Sequence, residues 1–71
     1  MNVLQTAVYN VRFAVKEARI ESVVYLAFNN GRPHVNVVVN AGQALKLVAQ
    51  LKATMNHIGI PIRIVEGKSI V

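Results

Sequence analysis

Cysteine and aspartate are both missing from this sequence, and the acidic residues amount to Glu17, Glu21 and Glu66. Without cysteine there is no disulfide framework and no thiolate metal site. Without aspartate a Ser-His-Asp triad cannot be built, and a glutamate substitute would have to come from residues placed on or beside helices and the tail. No apolar run reaches the roughly 18 residues that a membrane span needs. The N-terminus lacks a basic lead followed by a continuous apolar stretch, so no secretory leader is expected. These absences make a cytoplasmic, soluble chain the expectation.

What is present is apolar and basic. Of 71 residues, 54% are hydrophobic and the mean hydropathy is +0.40. A chain this short buries only about 60% of its unfolded surface, so some of that apolar area is expected to stay outside and mark an interface. Eight Lys and Arg against three Glu leave a net charge of +5. The excess comes from scarce acids rather than abundant bases, and such a surface attracts anionic partners.

Leu4, Val8, Val11, Val15 and Ala18 alternate spacings of four and three, which predicts a helix over residues 3–19. Residues 22–28 are β-branched and aromatic, Asn30-Gly31 follows, and Val35 to Asn40 runs on. Asn-Gly tolerates the positive φ of a type I′ turn, so a hairpin is predicted with Phe28 facing Pro33, Leu26 facing Val35 and Val24 facing Val37. One hairpin face is then almost pure core. The other carries Val23, Tyr25, Ala27, His34, Asn36, Val38 and Asn40. A second helix is predicted to start at Asn40, with Gln43 completing a capping box and Ala44, Val48, Leu51, Met55 and Ile58 as its buried stripe. Gly59 and Pro61 end it. Ile60 to Val65 reads as a last strand, and residues 67–71 as a flexible tail.

The expected fold is a single α+β domain over residues 1–66 with the order α-β-β-α-β. Strand one is apolar on both faces, and Pro61 in strand three suits an edge. This predicts a mainly antiparallel three-stranded sheet in the order 2-1-3, with two helices packed on one face.

The catalytic inventory is poor, and a non-enzyme without cofactor or metal is expected. Glu17 and Glu21 share a helical face at i,i+4 spacing, the pattern of solvated surface. His34 and His57 alone make a weak zinc pair. Gly67-Lys68-Ser69 lacks the earlier glycine of a phosphate loop, since Ile62 stands in its place.

Two binding surfaces are expected instead. The open sheet face would place Tyr25 at its centre, flanked by His34, Asn36 and Arg63, an arrangement that can stack bases, meet phosphate or seat a protein. The first helix carries Gln5, Tyr9, Arg12, Lys16 and Arg19 as a basic stripe. Together these predict a small regulatory protein docking on an acidic partner in a nucleic-acid-handling assembly such as RNA polymerase. In size and style it looks like the compact regulators with which bacteriophages redirect host transcription. Direct RNA or DNA binding and a structural homodimer are the alternatives, and membrane binding is not expected.

Overall fold

The computed structural model describes residues 2–52 and 59–67. Helix α1 spans Val3–Glu17, β1 Ser22–Asn29, β2 Arg32–Asn40, α2 Ala44–Leu51 and β3 Ile62–Gly67.

Helix α1 is closed at both ends by local bonds. Asn2 is its N-cap: Asn2 Oδ1 accepts from the Gln5 amide at 2.8 Å, and Gln5 Oε1 accepts from the Asn2 amide at 3.3 Å. This reciprocal pair satisfies amides that lack intrahelical partners. At the other end the Arg19 amide donates to the Lys16 carbonyl and the Ile20 amide to the Val15 carbonyl, at 3.1 and 3.2 Å. That is a Schellman closure, with Arg19 in the left-handed region at φ 56°. Glycine usually occupies such a position, because a Cβ there costs about 1–2 kcal/mol. Arg19→Gly is therefore expected to raise the urea midpoint by the equivalent of about 0.5–1 kcal/mol with an unchanged m-value.

The hairpin forms in the expected register. Leu26 pairs with Val35, Val24 with Val37 and Phe28 with Pro33, around Asn30 and Gly31 at φ 53° and 78°. In a hairpin with a two-residue loop the pair beside the loop, here Asn29 and Arg32, exchanges hydrogen bonds, and every second pair thereafter does so. Phe28–Pro33, Leu26–Val35 and Val24–Val37 are thus non-bonded pairs, whose backbone groups point away from each other. Pro33 fits because its pair requires no amide. The Val35 amide accordingly donates away from β1, to the Pro61 carbonyl at 2.9 Å.

The sheet order is β1-β2-β3, with β1–β2 antiparallel and β2–β3 parallel. The expected order 2-1-3 is wrong, the sheet is mixed, and the helix arrangement drawn with that order changes too. Helix α2 returns the chain so that β3 runs alongside β2, the adjacent βαβ connection. Apolar side chains on both faces of β1 had suggested a central strand. Instead Val23 and Tyr25 stay exposed on an edge, and β2 takes the centre with Val35, Val37 and Val39 fully buried. Pro61 lies just before β3, which is indeed an edge.

The core joins Ala7, Val11, Ala14 and Val15 of α1 and Leu47 and Leu51 of α2 to Val24, Val35, Val37 and Val39 of the sheet, with Ile20 from the loop. Helix α1 packs on β1 and β2, and α2 lies against α1 and β3. Helix α2 departs from expectation in two ways. Its N-cap is Gln43, without a side-chain cap, because Asn40 still belongs to β2. Its buried face runs through Leu47 and Leu51, whereas Val48 is 44% exposed. The Gly42 amide ahead of it donates to the Glu66 carboxylate, joining the α2 approach to β3. Met55, His57 and Ile58 lie outside the described residues. Glu66 and Gly67 extend β3 beyond its expected end at Val65, and residues 68–71 lie outside the described residues.

Candidate partner-binding surface

Side chains alternate across a sheet, so directly paired residues share a face. With Val24, Val35 and Val37 turned to the core, the opposite face carries Val23, Tyr25, Ala27 and Asn29 of β1. Alongside them are Arg32, His34, Asn36 and Val38 of β2, and Arg63 and Val65 of β3. One row across the sheet is Tyr25–Asn36–Arg63, and the next towards one end is Val23–Val38–Val65. The face divides into a valine half and a half rich in cationic and amide groups.

Asn36, rather than Tyr25, is the centre of this face. It is 8% exposed, yet its Nδ2 donates to the Tyr25 hydroxyl at 2.7 Å. A polar residue on the central strand is tolerated because its neighbour on the edge strand satisfies it. The same bond holds the Tyr25 ring in place while leaving it 44% exposed. Tyr25→Phe removes the acceptor and leaves a nearly buried amide to find another. About 1 kcal/mol of stability is expected to be lost, read as a lower thermal midpoint without loss of secondary structure.

Tyr25, His34, Asn36, Arg63 and Val65 line one shallow depression. Arg32, His34 and Arg63 converge on a second, with Asn29, Pro33 and Pro61. Two guanidiniums and an imidazole therefore cluster at the hairpin end of the open face. Among the described residues no carboxylate lies at that hairpin end: Glu17 closes α1, Glu66 follows the core-side alternation of β3, and Glu21 stands just before β1 at the opposite end, beside Val23. Arg32 was absent from the sequence-based set because it reads as a turn residue. Its place follows from the hairpin register, since it shares parity with His34 and Asn36.

The basic stripe on α1 holds together only in part. Tyr9, Arg12 and Lys16 are exposed and keep helical spacing, but Arg19 has left the helix through its left-handed φ. Arg12 reaches across to β1, where its Nη2 donates to the Val24 carbonyl at 3.1 Å. Between α1 and β1 lies an open cleft of about 540 Å³ lined by Leu4, Gln5, Val8, Tyr9, Arg12, Tyr25 and Leu26. Arg12 and Lys16 line the adjoining groove with Val15, Ile20 and Glu21–Val24, so one carboxylate, Glu21, stands in the groove with the two cations. Tyr25 thus borders both the cleft and the open sheet face, linking Tyr9 and Arg12 to Arg63. Lys16 joins this surface only through Arg12, and Arg19 lines neither groove.

Among the described residues no group of three or more His, Cys, Asp or Glu is placed to hold a metal, and no helix is long and apolar enough to cross a membrane. No protein-family model, curated protein or solved structure matches the chain.

Proposed function

We propose that the chain is a small non-catalytic regulator that docks through its open sheet face, with the adjoining flank of α1, onto an acidic protein surface. The partner envisaged belongs to nucleic-acid-handling machinery, RNA polymerase being the leading case. The observation that carries this reading is the cluster of Arg32, His34 and Arg63 beside the Tyr25–Asn36 pair, at an end of the face that carries no carboxylate among the described residues. Tyrosine and arginine are the residues that dominate protein interfaces. Val23, Val38 and Val65 supply apolar area beside them, which a protein partner can cover and a phosphate backbone cannot use. Cationic groups add rate and orientation to an encounter with an acidic surface.

Capture from nuclease-treated lysate tests this reading. The tethered protein is expected to retain RNA polymerase or other nucleic-acid machinery at moderate salt. Retention of neither overturns it.

Direct binding of single-stranded RNA or DNA is the second reading, favoured by the Tyr25 ring in line with Arg63 across Asn36. A base can stack on the ring while the guanidinium meets phosphate. Its mark is affinity for oligonucleotides that falls with salt, with a slope of about −0.7 per phosphate neutralised on single strands.

A further inference from the structure

Among the described residues no strand pairs with the outer edge of β1, the least protected part of the sheet. Val24, Leu26 and Phe28 belong to non-bonded pairs, so their amides and carbonyls point away from β2 along that edge. An exposed edge is a template for another strand, and proteins commonly blunt it with charged side chains, proline or bulges. Strand β1, Ser22–Asn29, has eight residues and neither a charged side chain nor proline nor glycine. The Arg12 guanidinium reaches it from α1 and occupies the Val24 carbonyl. The apolar walls of the cleft beside it are Leu4, Val8 and Leu26.

We propose that β1 is a strand-addition site for an extended segment of a partner protein, and that Arg12 selects segments bearing a carboxylate. In this mode main-chain bonds to Val24, Leu26 and Phe28 supply the pairing, and alternate side chains of the segment enter the cleft. The Val24 carbonyl is needed by the incoming strand, so Arg12 must release it. A carboxylate on the segment gives the guanidinium a charge-assisted partner in exchange, a stronger bond than a neutral carbonyl offers. Charge complementarity decides the occupant. A second copy would bring another β1 without a carboxylate within the strand and set a net +5 against a net +5, whereas an acidic segment meets Arg12 and Lys16, which outnumber Glu21 in the groove beside β1. The inference rests on the acidic-partner reading for the sign of the charge; it shares the α1 flank with that reading but uses the β1 edge in place of the sheet face.

A short labelled peptide alternating valine and threonine around one aspartate is the probe, with a lysine analogue as control. Fluorescence anisotropy is expected to show the aspartate peptide binding at least about tenfold more tightly than the analogue. Amide shifts are expected at Val24, Leu26 and Phe28, and Arg12→Gln should erase the discrimination while leaving the circular dichroism spectrum unchanged. The Arg32→Glu, Arg63→Glu double variant, which strikes the sheet-face docking, should bind the peptide as the unmodified chain does. Equal affinity for both peptides, discrimination that survives Arg12→Gln, no binding at millimolar peptide, or shifts confined to other elements overturns the proposal. So does a sedimenting dimer whose self-association disappears on Leu26→Lys, because the edge would then belong to a second copy.

Discussion

Leu47→Ala is expected to lower the stability of the domain by about 2–5 kcal/mol, whereas Val48→Ala one position on should change it by less than about 0.5 kcal/mol. Leu47 is fully buried among the α1 and sheet residues of the core, and Val48 is 44% exposed. Removing the Leu47 side chain leaves a cavity that α2, only eight residues long, can close only by shifting against α1 and β3. The effect is large against the whole. At about 0.05–0.15 kcal/mol per residue a domain of this length holds roughly 4–11 kcal/mol. Each kcal/mol lost lowers the thermal midpoint of so small a domain by about 4–8 °C. Urea unfolding followed by circular dichroism separates the two variants. Equal losses at both positions would place the buried face of α2 elsewhere.

That pair of positions also marks where sequence reasoning stops. Helical spacing from Ala44 fits Ala44-Val48-Leu51 and Ala44-Leu47-Leu51 equally well, because leucine and valine fill consecutive positions. Only the direction of approach of α1 and β3 decides between them. The hairpin was legible because Asn30-Gly31 fixes the loop and the alternating valines then admit one register. Strand order was not legible. An apolar residue on an exposed edge and one on a buried central strand look alike in sequence, so Val23 and Tyr25 suggested a burial they do not have. Asn36 sits on the central strand because its bond to Tyr25 satisfies it there. The α1 cap at Asn2 was overlooked although Gln5 stands at capping-box spacing, and the left-handed Arg19 carries no sequence signal at all.

The site was legible where parity alone determines it. Tyr25, His34, Asn36 and Arg63 share a face in either strand order, because they lie on the non-core parity of their strands. Arg32 follows the same rule once the turn is placed. The distribution of the α1 bases was not legible, because Arg12 and Lys16 look equivalent until the Val24 carbonyl captures one of them.

Charge reversal on the sheet face carries the second large effect. Arg32→Glu with Arg63→Glu changes the face from two guanidiniums to two carboxylates beside the Tyr25–Asn36 pair. Both arginines are solvent-exposed, so the fold is expected to survive. Against an acidic surface each substitution replaces attraction by like-charge repulsion. Arginines near the centre of an interface commonly contribute 2 kcal/mol or more, and those at its rim less. The double variant is therefore expected to bind its acidic partner with about 2–4 kcal/mol less free energy, a weakening of roughly 30- to 1,000-fold. The difference from the parent chain should narrow as salt screens the face.

Equilibrium titration of the captured machinery with the parent chain and with this double variant, both verified as folded, tests the sheet face as the docking surface. A loss of at least about thirtyfold at low salt, shrinking at high salt, is the expected result. Equal affinities for the two proteins would contradict it.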